Sequence, residues 1–353
     1  MRKLLFIIIP ASIFITAIGV YLKPKPAPEA PKLKNITEHM AAFRLDAPPS
    51  LTFCNQEVPV DRDAVKAKLD QEISKYVEAK SGISLIARRA FTFKTKFLPI
   101  MEQYGIPADF FYLAIAESNL SNATSPVGAK GFWQFMAPTA RQYGLEVSET
   151  VDERYHPEKA TKAACRYLKT HYKELNDWAL VAAAYNMGVG GLNRTMKAQG
   201  INDYFALDLN DETGDYLYRI LAFKSILENP GRYGLDGLGK SGLSLPRYKQ
   251  VEVQENIADL ATFAATNGAT FREIKTLNPW LIANRLEVSP GKTYRIRLPL
   301  VSQSVVEKLK EEKIPETPST PTTTDTIAEE GPSKEEIALQ TEKNPEEDEG
   351  GIY

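Results

Sequence analysis

Histidine and cysteine are scarce in this sequence, three of the first and two of the second among 353 residues. His39, His156 and His171 stand far apart, so neither an HExxH pair nor a local histidine-based triad can be assembled. Cys54 and Cys165 have no second Cys or His at ligand spacing, which excludes a metal centre and a CxxC redox site. No cofactor is implied. In an oxidising compartment the two cysteines could pair, but Cys165, inside the helical run Ala163 to Leu168, fits better as a small packed residue. Alternation of strands with helices is missing too, which argues against a doubly wound sheet. With 43% hydrophobic and 25% charged residues, and a long apolar run only at the N-terminus, the chain reads as globular, not as a multispan membrane protein.

The two ends differ from the rest. Met1-Arg2-Lys3 precedes an apolar run from Leu4 to Leu22, followed by a Lys/Pro-rich stretch from Lys23 to Lys34. This reads as an export signal or, uncleaved, as a membrane anchor, its length being close to the roughly 20 residues that span a bilayer. At the other end, Ser302 to Tyr353 holds 14 acidic and 5 basic residues, so this segment carries −9 and residues 1–301 carry +7 of the overall −2. Pro, Thr, Glu and Lys dominate from Glu311 onward, too little apolar surface to offset ordering entropy, and a disordered tail is expected. The mildly basic remainder suits an anionic polymer, cell wall or nucleic acid, or simply a solubilising surface.

Between Glu57 and Leu227 the apolar spacing and punctuation are helical. Asp61 is placed to cap a helix carrying Val65, Leu69, Ile73 and Tyr76, and a second helix runs from Ile83 through Tyr104. Gly105-Ile106-Pro107 stops that helix and starts another. Pro138 and Pro157 open further helices, the second reaching about Leu175, and Gly188 ends one begun near Trp178. Glu117 stands out, because it closes the almost wholly apolar run Phe110 to Ala116. Burial and the negative end of the helix dipole both push a carboxyl pKa up there, which makes a general acid. A structural Glu bonded to backbone or Arg is the bland reading, but charge in so apolar a run is rare and favours function.

Four motifs follow one another: Glu117-Ser118; the stretch Ser125 to Met136, of the form Ser-x-x-Gly-Ala-x-Gly-x-x-Gln-Phe-Met; Ala184-Tyr185-Asn186-Met187-Gly188; and Glu212-Thr213-Gly214-Asp215-Tyr216. Together they resemble the family 1 lytic transglycosylases, whose Slt-type fold is related to goose-type lysozyme, and most closely the membrane-bound transglycosylase D group. The resemblance covers roughly residues 57 to 230. It implies catalytic roles for Glu117, Ser125 and Tyr216, and substrate-binding roles for Ser118, Gln134, Met136, Tyr185 and Asn186. It implies peptidoglycan glycan strands as the partner, cleaved beside N-acetylmuramic acid to leave a 1,6-anhydro end, with no nucleic acid and no nucleotide.

The residues can be tested against that chemistry. Ordinary glycosidases flank the bond with two carboxylates. Here Asp109 lies eight positions before Glu117, about 12 Å along a helix and rotated by roughly 80°, and the next acid downstream is Glu146. If one carboxylate must suffice, the substrate supplies the nucleophile, an intramolecular attack that benefits from high effective molarity. A hydrolytic muramidase with an unidentified second acid and a non-catalytic wall-binding scaffold remain the alternatives. Phe132, Trp133 and Phe135 could stack on sugar rings or fill the core. Gln134 among them needs a polar partner, backbone or sugar, and Asn186 could cap its helix or bind sugar.

Gly234 to Ser241 fits the P-loop pattern GxxxxGKS, but no apolar strand precedes it and no helix follows, so it reads as a flexible Gly-rich linker. From Arg247 to Pro299 the order is strand, two helices, strand, resembling a LysM domain: Leu277-Asn278-Pro279 and Pro290-Gly291-Lys292 fit, while Glu255-Asn256 replaces the usual Gly-Asp. Binding of glycan by this module, or a purely packing role, both fit. The expected fold class is therefore α+β, mainly α: a lysozyme-like helical catalytic domain plus a small β-α-α-β LysM-like domain. The expected division is 1–22 signal or anchor, 23–56 linker and extension, 57–233 catalytic domain, 234–246 linker, 247–300 LysM-like domain and 301–353 tail. The expected location is the periplasmic side of a bacterial cell envelope, membrane-anchored or exported.

Overall fold

The computed structural model describes residues 44–238 and 240–300. The expected signal or anchor and the tail from 301 lie outside these residues. None of the described helices is long and apolar enough to cross a membrane.

Two short strands, β1 (Thr52–Phe53) and β2 (Gln56–Glu57), form an antiparallel hairpin. Phe53 and Cys54 are buried in the helical core, so this extension is packed rather than a free linker. Helix α1 (Asp63–Glu78) buries Val65, Leu69, Ile73 and Val77, an i, i+4 stripe. Asp61 does not cap it. A turn closed by Arg62 N–H to Pro59 O carries the chain past Asp61, leaving Arg62 at the cap position without a side-chain bond. Helix α2 (Lys80–Tyr104) ends on Gly105, whose φ of 69° closes the last turn.

Helix α3 (Phe110–Ser118) is apolar on every side and is accordingly enclosed. Against it pack α2 and α8 (Asp211–Glu228), while α5 (Pro157–Leu175) lies on α2 and α6 (Trp178–Met187) on α8, and short α4 (Ala137–Gln142) and α7 (Val189–Gln199) complete the domain. The expected proline starts and glycine stops hold: Pro157 opens α5, and Gly188, with φ 80°, ends α6. Both cysteines are buried and unpaired, and burial pushes each thiol's pKa upward.

The C-terminal module pairs β3 (Tyr248–Val253) antiparallel with β4 (Tyr294–Pro299), Val251 opposite Ile296. Helices α9 (Leu260–Thr266) and α10 (Phe271–Leu277) cover one face, the second started by a Thr270/Glu273 capping box. Asn278 is fully buried and ties α10 to β4, its amide donating to Ile274 O and Arg297 O while its Oδ1 accepts from Arg297 N–H. The GxxxxGKS stretch follows a 3-10 turn, Pro230–Tyr233, not a strand, and Leu243 N–H just after it donates to Thr92 on α2 at 2.7 Å.

Candidate active site

Glu117 sits in the last turn of α3, half-buried at the floor of a cleft of about 550 Å³. Burial is the largest influence on it and lifts its pKa from 4.5 to about 7; the Tyr216 hydroxyl and the Arg219 charge act the other way. Tyr216 comes from α8, 99 positions later, and its hydroxyl donates to Glu117 Oε1. Burial and the adjacent carboxylate hold this phenol far above its ordinary range, so it stays a donor. Tyr185 lies beside it, likewise pushed up by burial, with its hydroxyl donating to Trp133 O at 2.7 Å.

The loop between α3 and α4 forms another wall. Ser125 caps its own turn: Gly128 N–H donates to Ser125 O and Ala129 N–H to Ser125 Oγ, each at 3.0 Å. Among the described residues no acceptor takes the Ser125 hydroxyl proton, and the side chain lines the cleft. Gln134 has φ 45° and bonds through Nε2 to Gly131 O at 2.7 Å and Ala123 O at 3.2 Å, so its polar partners on that side are backbone. Met136 is exposed on the rim. Asn186 is not a helix cap; its Oδ1 accepts from Thr213 Oγ1 at 2.8 Å, which joins the third and fourth motifs and leaves its amide nitrogen beside the cleft.

Ser118 is the exception among the expected site residues. It is buried outside the cleft lining, and its hydroxyl donates to Ala114 O and Phe132 O, tying α3 to the loop instead of meeting a ligand. The reason is helical geometry: the residue after Glu117 points about 100° away from it. Phe132 and Trp133 are core, the indole bonded to Thr161 Oγ1 at 3.0 Å, whereas buried Phe135 contributes to the cleft wall.

Two charged residues on the wall escaped the sequence reading. Glu212 heads the fourth motif yet was given no role, and it adds a second, exposed carboxylate to the cleft. Arg219 lies three residues after Tyr216, a spacing that puts both on one face of α8 and would have found it. Asp109 and Glu146 are engaged elsewhere. Asp109 pairs with Lys224 at 2.6 Å and accepts from Cys54 N–H at 2.7 Å, and Glu146 is bound by Tyr294 and Lys292 of the C-terminal module.

A second groove of about 570 Å³ lies between the first turns of α5 and the sheet of the module. Its charges largely satisfy one another, Arg297 with Glu158 at 2.8 Å and Arg295 with Glu252 at 3.1 Å, and the Glu158 carboxyl is held well below its ordinary range by His156 and Arg297. Among the described residues no group of His, Cys, Asp or Glu is arranged to hold a metal.

Residues 98–207 match the transglycosylase SLT domain family, and residues 249–302 match the family described as the soluble lytic transglycosylase C-terminal LysM-like domain. The chain is homologous to the membrane-bound lytic murein transglycosylase D of Escherichia coli K12, 30% identical over 236 residues that cover 63% of this chain and 50% of the relative. The same protein of E. coli O6:H1 strain CFT073 matches with the same figures. This chain thus spans about half the length of the curated relatives it matches. Among solved structures, the lytic transglycosylase Slt of Pseudomonas aeruginosa, as an inactive mutant, aligns with TM-score 0.31 at 22% identity over 40% of this chain and 25% of that one. The 70 kDa soluble lytic transglycosylase of E. coli aligns with TM-score 0.32 at 19% identity, over 47% and 31%.

Proposed function

We propose that this chain, with its SLT domain and LysM-like module, is a peptidoglycan lytic transglycosylase. It cleaves the β-1,4 bond between N-acetylmuramic acid and N-acetylglucosamine and leaves 1,6-anhydro-N-acetylmuramic acid ends. The observation that carries this is Glu117: a half-buried carboxyl with its pKa raised to about 7 and bonded by a buried tyrosine, facing a cleft of about 550 Å³.

Neutral Glu117 donates its proton to the glycosidic oxygen as the bond from C1 breaks. The resulting carboxylate, stabilised by the Tyr216 hydroxyl and the Arg219 charge, takes the proton of the C6 hydroxyl while O6 bonds to C1. One carboxyl thereby serves as acid and then base, and no water is consumed. Ser125, with its free hydroxyl proton, assists at the cleavage point; Gln134, Met136, Tyr185 and Asn186 hold the glycan. The working site is the periplasmic side of the bacterial envelope, the N-terminal segment serving either as an export signal or as a membrane anchor.

The test is mass spectrometry of soluble products after the full-length protein digests purified sacculi. Products lighter by one water than hydrolytic muropeptides, and absent with Glu117→Gln, support the reading. Reducing-end products overturn it and favour a hydrolytic muramidase, for which Glu212 is the second carboxylate on the cleft wall. In that case Glu212→Gln abolishes turnover, whereas under the anhydro route it leaves the anhydro product in place.

A further inference from the structure

The C-terminal module meets the helical domain through more than a side-by-side contact. Val151, from the loop before α5, is fully buried in the core of the module, among Leu260, Ile274, Leu281 and Ile296. Its backbone neighbours are bonded to the module as a strand would be: Asp152 N–H donates to Trp280 O at 2.8 Å and Ile282 N–H to Thr150 O at 3.0 Å, with Val151 bridged to Leu281. Residues 150–152 are therefore part of the module physically, although they belong to the helical domain in sequence.

Two residues further on, Arg154 reaches the catalytic loop. Its guanidinium is buried and gripped by both oxygens of Asp152, Nε to Oδ1 at 2.9 Å and Nη2 to Oδ2 at 2.7 Å. The remaining nitrogen, Nη1, donates to Gly128 O and to Phe135 O, each at 3.1 Å. These carbonyls bracket the segment that carries Gln134, and Gly128 closes the turn that presents Ser125. The backbone of Arg154 is in contact as well: a Cβ built on Gly131 would lie 1.9 Å from Arg154 O. Tyr155 adds a hydroxyl contact to Thr124 at 2.7 Å. A rigid, charge-assisted fork thus joins a module-bound strand to one wall of the Glu117 cleft.

We infer that Arg154 is a positioning residue through which docking of the LysM-like module sets the conformation of the Ser125–Gln134 wall, so that the module completes the catalytic site in addition to whatever it binds. The catalytic consequence rests on the function proposed above; the structural coupling does not. Asp152 holds the guanidinium in the plane needed to reach two carbonyls 7 residues apart in sequence, a geometry that a lysine cannot reproduce.

The experiment is hydrogen–deuterium exchange on the full-length chain, with and without Val151→Ala, a trimming of the module core that leaves the cleft untouched. The expected result is exchange at residues 123–135 faster by about threefold or more, together with the loosening of 247–300. Loosening confined to 247–300, with 123–135 as in the wild type, overturns the inference. In an Arg154→Lys background the same trimming should add nothing further at 123–135; an undiminished effect there overturns transmission through Arg154. Kinetics on sacculi supply the second readout: Arg154→Lys should lower kcat about tenfold with Glu117's pH limb unmoved. Because exchange is read without substrate, a chain with no transglycosylase activity would still pass or fail the coupling test on its own. If Arg154→Lys does not fold, the Val151→Ala comparison alone decides.

Discussion

The Tyr216 hydroxyl donates a hydrogen bond to Glu117 Oε1, joining the last turn of α3 to α8 across 99 residues of sequence. Burial raises the carboxyl and this bond lowers it, and the balance leaves Glu117 close to neutrality at about 7. An acid that must also become a base needs such an intermediate value.

Tyr216→Phe removes the influence that favours the carboxylate, so the pKa of Glu117 rises further. The expected outcome is an alkaline limb of the pH–rate profile displaced upward by about one unit, with kcat reduced by about tenfold or more. A profile with an unmoved limb would detach Tyr216 from the ionisation of Glu117.

Glu117→Gln should abolish turnover and also change stability in a pH-dependent way. The native pKa of about 7 exceeds the ordinary 4.5, so between those values the folded state holds more protons than the unfolded one and wild-type stability falls as pH rises. The variant lacks this slope. Its unfolding free energy should match the wild type near pH 4 and exceed it at pH 8 by about 2 kcal/mol after allowance for the partial exposure of the group, seen as a higher thermal midpoint at pH 8 only.

Gly131→Ala and Gly128→Ala should separate in denaturant unfolding. Both glycines have positive φ, but only at Gly131 would an added Cβ meet backbone, 1.9 Å from Arg154 O, while one added at Gly128 would find nothing within 4 Å. The first should lose about 3 kcal/mol, the second about 1–2 kcal/mol from backbone strain alone.

Asp109→Asn tests whether the nearest upstream acid takes part in cleavage. Its carboxylate is spent on Lys224 and Cys54 N–H, so the variant should lose about 1–2 kcal/mol of stability by weakening these bonds, while Lys224 keeps Glu228 at 3.2 Å. Cleavage per folded molecule, assayed well below the thermal midpoint, should keep the wild-type rate. A proportionate loss of rate would return Asp109 to the reaction.

Much of this protein is fixed by local order along the chain. The apolar run before Glu117, the prolines and glycines that bound α5 and α6, and the two-strand, two-helix outline of the module are set by neighbours within a few residues, where periodicity and backbone restriction act. Hence Glu117 is legible as a raised carboxyl from sequence, and the P-loop pattern is dismissed by its flanks. What the chain order does not carry is direction and partnership at long range. The inward turn of Ser118, the bond from Tyr216, the exposure of Glu212 in the cleft, the capture of Glu146 by Tyr294 and the burial of Val151 in a module more than a hundred residues away all depend on which surfaces meet. Those contacts are chosen by the packing of whole helices and sheets, where the free energy is shared among many side chains and no short stretch of sequence holds enough of it to declare the outcome.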